Sequence, residues 1–266
     1  MRRPALALLL AAGLPVVQAM DVDLVVAGAE LSLVAGERRL AGADLVGLDI
    51  DLPGLGTLRI DGARPDAQAR FPGLWLYQAR LRAPGRRRFQ PFCTPDPEGE
   101  TDVVFFQGTV DEAQRYLPDR DRFSLSCVSG VQAKCLRWGY EPWRTAPATG
   151  QPLQPHFEAC MRAARADYCG DGESATRDGT LIDIYDRDGV QAPEQDAPGL
   201  AFEAGWRPDG ATCVNHTRIA ELLDVDTLQR HCPRLTGAEA CDEATAQAQG
   251  AVLFVRSRAG NPPSAD

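Results

Sequence analysis

The sequence predicts an α+β protein in which an N-terminal antiparallel β-rich half precedes a disulfide-stapled domain that mixes helices with antiparallel sheet. In residues 20–121, short apolar runs of strand length alternate with Pro, Gly and Asp, and this regular spacing is typical of antiparallel β structure. In residues 122–257, apolar residues first recur at helical spacing and then return to strand patterns. Seven of the eight cysteines lie in this second part.

The first 19 residues have the pattern of a cleaved secretory signal peptide. Two arginines precede an apolar run, and Val17-Gln18-Ala19 ends it with the small residues that signal peptidase recognises. The run is shorter than the roughly 20 apolar residues of a membrane-spanning helix. We therefore expect cleavage after Ala19 and a secreted or periplasmic protein. No cysteine follows the cut and no later segment is long and apolar, so we expect neither a lipid anchor nor a transmembrane segment.

The charge balance argues against a nucleic-acid partner. The chain has 37 acidic and 28 basic residues and a net charge of −9, whereas nucleic-acid binders present a basic face to phosphates. One basic run, Arg86-Arg87-Arg88, follows Pro84-Gly85 at a predicted hairpin tip. We interpret it as a solvated turn, which is how most short charge runs are used. The sequence does not identify any other partner, and the partner stays unknown at this point.

In the β-rich half, the apolar runs predict strands over residues 31–34, 45–52, 57–60, 75–81, 88–93, 103–108 and 123–127. This half contains neither a Gly-x-Ser-x-Gly nucleophile elbow nor a phosphate-binding glycine loop. Nothing in it therefore indicates catalysis.

In the second half, a first helix is expected from about residue 128 to 138 and a second from about 157 to 168. Gly170 stands where a left-handed residue would end the second helix. Asp-Gly turns predict a hairpin at residues 186–189 and another at residues 208–210. Two helices, about 220–231 and 237–249, and a strand over 252–255 complete the domain, followed by a disordered tail, 258–266. We expect the helices to pack on one face of the sheet.

The eight cysteines predict disulfide bonds. Their number is even, and an exported chain folds where bridges persist. Eight cysteines allow 105 connectivities, and the sequence does not choose among them. No Cys-x-x-Cys pair occurs and the three histidines have no metal-ligand spacing, so we expect no metal and no cofactor. The cysteines are Cys93, Cys127, Cys135, Cys160, Cys169, Cys213, Cys232 and Cys241.

Several motifs follow one another in the second half. They are Ala133-Lys134-Cys135-Leu136-Arg137-Trp138-Gly139-Tyr140, Pro142-Trp143, Ala159-Cys160, Arg165-Ala166-Asp167-Tyr168-Cys169-Gly170-Asp171-Gly172, Thr176-Arg177-Asp178-Gly179-Thr180, Glu203-Ala204-Gly205-Trp206, Asn215-His216-Thr217-Arg218 and Cys232-Pro233. In this order, over roughly residues 123–257, they resemble the ADYC-domain family of bacterial exported proteins. Several motifs in fixed order are much harder to match by chance than one. The resemblance implies an exported domain and carries over no catalytic residue.

Four motif residues are candidates for catalysis: Asp167, Asp171, His216 and Arg218. Carboxylates beside an imidazole and a guanidinium would supply the acid, the base and the anion clamp of a hydrolase. The competing interpretation is structural: Asp167 is tied to backbone amides or an arginine at a helix end, and His216 packs in a sheet. We favour it, because loop aspartates serve turns far more often than chemistry.

Calcium is a second possibility, because six aspartates lie between residues 167 and 188 and carboxylate oxygens are hard ligands. Asp178, Asp186 and Asp188 are the weak candidates. The order does not match an EF-hand loop, and a plain hairpin would also place Asp186 and Asp188 around a turn glycine. We favour the hairpin.

Two further hypotheses concern cysteine and aromatic side chains. Cys135 or Cys169 could act as a nucleophile with His216, but bridges are the rule in exported chains. Trp138, Tyr140 and Trp143 could form an aromatic platform for a sugar, but aromatic residues at helical spacing more often pack in a core.

The sequence therefore favours an exported, non-enzymatic binding or envelope-associated module, with a secreted hydrolase using Asp167, Asp171, His216 and Arg218 as the alternative. Convergence of those side chains in an open pocket would favour the enzyme. Burial of the same groups in satisfied hydrogen bonds would favour the module.

Overall fold

A computed structural model describes residues 22–195, 197–235 and 241–259 of the protein. The predicted signal peptide and residues 260–266 of the predicted tail lie outside the described residues. Arg258, the first residue of that tail, is instead the last residue of a strand. The described residues form a mixed α+β fold built mostly from antiparallel sheets, which confirms the predicted class.

The first half contains three antiparallel sheets. A three-stranded sheet comprises β1 (Asp23–Ala27), β2 (Glu30–Ala35) and β3 (Arg38–Ala41). A larger sheet comprises β4 (Asp49–Leu52), β5 (Gly56–Pro65), β6 (Trp75–Arg82), β7 (Gln90–Pro91), β8 (Asp102–Gln107) and β11 (Phe123–Cys127). Its strand order is β11-β8-β6-β5-β4, and β7 pairs with β6. The third sheet is the pair β9 (Thr109–Val110) and β10 (Tyr116–Leu117).

Two strands of this half are shorter than the sequence predicts. Gly42–Leu45 forms a 3-10 turn, so that β4 begins only at Asp49 rather than at residue 45. The predicted strand over residues 88–93 is reduced to the two residues of β7, since Pro91 has no N–H with which to continue the ladder.

The second half places helices α1 (Val131–Arg137) and α2 (Gln154–Arg165) before a four-stranded antiparallel sheet. Its order is β12-β15-β13-β14, with β12 (Ile182–Asp186), β13 (Leu200–Arg207), β14 (Gly210–Val214) and β15 (Leu253–Arg258). Between β14 and β15 lie α3 (Val225–His231), a 3-10 turn (Pro233–Leu235) and α4 (Glu243–Ala248). Helices α3 and α4 begin later than predicted because Asp224 and Asp242 cap them.

Of the two hairpins predicted in the second half, one is confirmed and the other is wrong. Strands β13 and β14 pair around the turn at residues 208–209. Strand β12, however, does not form a hairpin with the residues that follow it; among the described strands it pairs only with β15, near the end of the chain. The Asp186 carboxylate accepts hydrogen bonds from the N–H groups of Asp188, Val190 and Gln191, so that the Asp-Gly turn closes a loop.

The end of α2 also differs from the prediction. The helix stops at Arg165, and Ala166 rather than Gly170 is the left-handed residue that ends it (φ 52°). Gly170 has a positive φ of 75° for another reason: a Cβ there would collide with the Asp209 carbonyl oxygen. The loop after α2 therefore lies directly against the β13–β14 turn.

The helices lie on both faces of the sheet, and the prediction of a single covered face is wrong. Helix α2 shares a core with Ala204, Trp206 and Val255. Helix α4 packs on the opposite face, where Ala246 meets Phe254 and Cys213. Successive side chains of a strand point to opposite faces, so β13 and β15 present apolar residues to both layers.

The core that contains α2 is shared between the two halves of the chain. Leu76 of β6 and Phe106 of β8 belong to the same cluster as Phe157 of α2 and Trp206 of β13. A separate cluster around Leu58 lies within the first half. The shared cluster crosses the predicted boundary at residue 121.

All eight cysteines are paired, as the sequence predicts. One bridge links the residues after β7 to the end of β11, and the other three tie α1 to α2, the loop after α2 to the residue after α3, and β14 to the residues before α4: Cys93–Cys127, Cys135–Cys160, Cys169–Cys232 and Cys213–Cys241. The cysteine-nucleophile hypothesis is therefore wrong, because Cys135 and Cys169 carry no free thiol.

No helix in the described ranges combines the length and the apolar character needed to cross a membrane. The longest, α2, has 12 residues.

Candidate functional site

A cleft of about 520 Å³ opens between α1, the end of α2 and the chain segment that leads into β12. Lys134 and Trp138 project into it from α1, and the motif at residues 176–180 forms the opposite wall. Asp96 and Glu98, from the loop before β8, complete the rim. The cleft therefore joins motif residues of the second half to acidic residues of the first.

The rim of the cleft offers charges that other protein groups hold only weakly. The Lys134 Nζ lies 3.9 Å from the Asp178 Oδ1, and the Asp178 side chain is 81% exposed, so this ion pair is loose. Arg177 is exposed and makes no side-chain hydrogen bond or ion pair within the described part of the chain. Leu181 is 57% exposed at the same edge. Both signs of charge and apolar surface are thus available to a ligand.

At the floor of the cleft, which Arg218 helps to line, lies a buried ion pair. The Arg218 side chain is 1% exposed and Glu203 is fully buried. The Arg218 Nε and Nη2 donate to the two Glu203 oxygens, each at 3.0 Å, and the remaining donors reach the carbonyl oxygens of Ala163 and Ala164 at the end of α2. Burial alone would lower the pKa of Arg218, but the Glu203 carboxylate holds it above its ordinary value. The guanidinium therefore stays charged.

Tyr168 completes this network. Its hydroxyl donates to Glu203 at 3.0 Å and accepts the backbone N–H of Arg218 at 2.8 Å. Burial raises the pKa of Tyr168 well above its ordinary value, and the neighbouring Glu203 carboxylate adds to the shift. The phenol therefore remains protonated and serves as a donor.

Asp167 organises the loop after α2. Its side chain is fully buried, and its oxygens accept hydrogen bonds from Arg162 Nη1 at 2.5 Å, Gly170 N at 2.9 Å and Gly172 N at 3.0 Å. A carboxylate with one guanidinium and two amides is satisfied, as the structural interpretation of this residue expects.

The other two candidates lie in different surroundings. Asp171 is exposed and bonds to His231 Nε2 at 2.8 Å. Burial would raise the pKa of the Asp171 carboxyl, but the Glu173 N–H and His231 outweigh that effect and lower it. His216 Nδ1 lies 3.2 Å from the Thr217 carbonyl oxygen, and its buried Nε2 has no partner within the described ranges.

The described residues show no hydrogen bond or ion pair between any two of the four catalytic candidates. Asp167 pairs with Arg162, Arg218 with Glu203 and Asp171 with His231. A catalytic role for this set stays a prediction.

The three calcium candidates each have protein partners. Asp186 accepts three backbone N–H groups and the Tyr140 hydroxyl, Asp188 accepts His156 Nε2 at 2.7 Å, and Asp178 lies beside Lys134. Calcium binding by this set likewise stays a prediction.

A different group of metal-ligand side chains does come together. In the described residues, the ligand atoms of Cys169, Asp171 and His231 lie within 4.8 Å of one another. The Cys169 sulfur is bonded to Cys232, however, so that only two ligands remain. Structural zinc sites are closed by four protein ligands, and Asp171 and His231 supply only two.

The three candidate aromatic residues do not form one platform. Trp138 lines the cleft, while Tyr140 is buried and donates to Asp186. The Trp143 indole lies over Gly28 of the first half. Of the three, Trp138 alone lines the cleft.

The sequence interpretation missed two parts of the site. Glu203 stands in a quoted motif but received no role, although a carboxylate inside an apolar strand is a signal of a buried ion pair. No sequence pattern marks Asp96 and Glu98 as part of the site, because only the three-dimensional fold brings their loop to the cleft.

Comparison with known proteins identifies the family of this chain. A family model described as the ADYC domain matches residues 40–220, which is more than half of the chain. The chain belongs to the ADYC domain family. All residues that line the cleft lie within the matched range, which begins in the first half of this ADYC-domain protein. No curated protein and no solved structure matches the chain.

Proposed function

We propose that this ADYC-domain protein is an exported, non-enzymatic module that binds a polar ligand in the cleft. One observation carries the proposal: among the described residues, Lys134, Arg177 and Asp178 on the rim are loosely held or unpaired, whereas Asp167 and Arg218 are held in buried, satisfied bonds. Groups free to exchange partners suit binding, and groups locked in structural pairs do not suit proton transfer.

Export is supported by the bridges. Four disulfides link all eight cysteines, and such bridges persist in oxidising compartments. The predicted signal peptide would bring the chain there. An envelope-associated role follows if the ligand is a component of the cell surface.

The chemistry of the cleft favours a sugar derivative that carries a carboxylate group. The Trp138 ring offers an apolar face, Thr176 and Thr180 offer hydroxyls, and Lys134 and Arg177 offer cations for an anionic substituent. A ligand with an apolar ring face and a charged edge satisfies all of these together.

The test is a tryptophan-fluorescence titration of the mature chain with muramyl dipeptide, an amino-sugar derivative whose peptide carries one free carboxylate, and with chitotriose, a neutral sugar. We expect a saturable change with muramyl dipeptide and a weaker one with chitotriose. Trp138→Phe should abolish the change, whereas Trp75→Phe, on β6 and away from the cleft, should retain it. Absence of saturable binding by the wild type, or its survival in Trp138→Phe, would overturn the proposal.

The hydrolase alternative rests on one observation, the buried His216 Nε2 without a partner in the part of the chain that the structure describes. Mass spectrometry of the ligand after incubation tests it. Cleaved products with the wild type, lost in a folded His216→Gln variant, would replace the binding module with the enzyme.

A further inference from the structure

The connection between β6 and β7 carries three arginines with no protein partner. Arg86, Arg87 and Arg88 are all exposed, and none of their guanidinium groups makes a hydrogen bond or ion pair with a described residue. Other arginines of the same sheet are paired: Arg59 binds Asp49 through two hydrogen bonds, and Arg80 binds Asp61. In a chain of net charge −9, this cluster of free cations lacks an internal explanation.

These arginines border a cavity with an apolar wall. The cavity holds about 690 Å³, and Leu81, Pro91 and Phe92 line it beside Arg86–Arg88. Guanidinium groups pair with phosphate through parallel hydrogen bonds. The combination of a cationic rim with an apolar wall matches an amphiphile that has a phosphate head.

The cluster is held on a rigid support. The Phe89 ring contacts two guanidinium groups, with the Cζ of Arg59 at 4.4 Å and that of Arg82 at 4.7 Å from its centroid. Strand β7 then pairs with β6, and Cys93 is bridged to Cys127. Because both ends of the connection are fixed, little conformational freedom is lost when a ligand binds.

We propose that the β6–β7 connection binds anionic phospholipid at a membrane surface, with the lipid phosphates on Arg86–Arg88 and the upper acyl region against Leu81 and Phe92. This site is independent of the cleft beside Trp138. It would hold the protein at the envelope whatever the cleft binds.

Sedimentation with vesicles tests the proposal. The vesicles are phosphatidylcholine alone, or phosphatidylcholine with one-third phosphatidylglycerol. The variant is Arg86→Gln/Arg87→Gln/Arg88→Gln. The control, Arg38→Gln/Arg120→Gln/Arg230→Gln, removes three exposed arginines elsewhere and so makes the same change in net charge.

We expect the wild type and the control to sediment with the anionic vesicles and not with the neutral ones. The variant that lacks Arg86, Arg87 and Arg88 should lose on the order of 100-fold in partition coefficient, because each arginine contributes about 1 kcal/mol, or roughly fivefold. High salt should release the wild type, since the attraction is screened.

Three results would overturn the proposal. The first is sedimentation of the wild type with neither or with both kinds of vesicle. The second is an equal loss of partition coefficient in the control and in the variant that lacks Arg86, Arg87 and Arg88. The third is release of the wild type from the vesicles by pyrophosphate or duplex DNA at constant ionic strength. The last would show a site for free phosphate or nucleic acid instead of lipid. None of these results bears on the cleft, which the fluorescence titration tests separately.

Discussion

Replacing Arg218 with methionine tests whether the ion pair beneath the cleft supports the fold. The guanidinium makes two 3.0 Å hydrogen bonds to Glu203, and both side chains are buried from solvent. It also donates to the carbonyl oxygens of Ala163 and Ala164 at 2.8 and 3.1 Å where α2 ends. The Ala163 oxygen accepts the Ala166 N–H as well, at 3.0 Å.

The expected cost follows from what the substitution leaves behind. Arg218→Met strands the Glu203 carboxylate without a counter-charge, which lowers the free energy of unfolding by about 3–5 kcal/mol. The double variant Glu203→Met/Arg218→Met removes both charges and should recover most of that loss. A remainder of about 1–3 kcal/mol should persist, because the carbonyl oxygens of Ala163 and Ala164 lose the hydrogen bonds that Arg218 donates.

Guanidinium chloride denaturation with the disulfides intact, followed by circular dichroism, measures these differences. Arg39→Met is the control, since Arg39 forms an exposed pair with Glu30 and exposed pairs contribute about 1 kcal/mol or less. A loss below about 1 kcal/mol for Arg218→Met, or a double variant no more stable than the single one, would refute the structural role of the pair.

Three further predictions concern other elements. Replacing Cys135 and Cys160 with alanine should lower the free energy of unfolding by about 3–4 kcal/mol, because the bridge spans 25 residues; an unchanged urea midpoint would contradict it. Gly170→Ala should lower the free energy of unfolding by about 2 kcal/mol or more, and Gly172→Ala by about 1 kcal/mol. Both glycines have a positive φ, but only at Gly170 would the added Cβ meet a backbone carbonyl oxygen. Equal melting curves for the two variants would rule out the close approach as the cause of the difference. Burial raises the pKa of Glu141 above its ordinary value of 4.5 against the opposing effect of a neighbouring arginine. The folded protein thus binds this proton more tightly than the unfolded chain, and the stability it contributes is present below pH 4.5 and lost as pH rises through the raised pKa. Glu141→Gln should therefore gain stability over the wild type between acidic and neutral pH, whereas a pH-independent difference would contradict the shift.

The sequence patterns predicted the elements better than their partners. The change from strand to helix period near residue 127 and the β13–β14 hairpin follow from local chemistry. The pairing of β12 with β15 does not, because the strands are separated by helices and only the shared sheet joins them. An Asp-Gly turn predicts a reversal of the chain but not which strand lies beside it.

The site could be predicted in part. The structural interpretation of Asp167 was available from its place after a helix and before two glycines. The pairing of Arg218 with Glu203 could not be predicted, because the charge of Glu203 in β13 does not by itself identify a counter-charge 15 residues away. The assignment of Gly170 to the helix end was wrong, since a glycine can serve a close backbone contact as well as a helix end.

The central claim is that the cleft binds a ligand without transforming it. Isothermal titration of the mature protein with muramyl dipeptide, followed by mass spectrometry of the recovered ligand, tests both parts in one sample. We predict saturable binding, at least tenfold weaker (about 1.4 kcal/mol) in Lys134→Gln/Trp138→Phe, with the ligand recovered intact. Absence of saturable heat with the wild type, or recovery of cleaved ligand, would contradict the account.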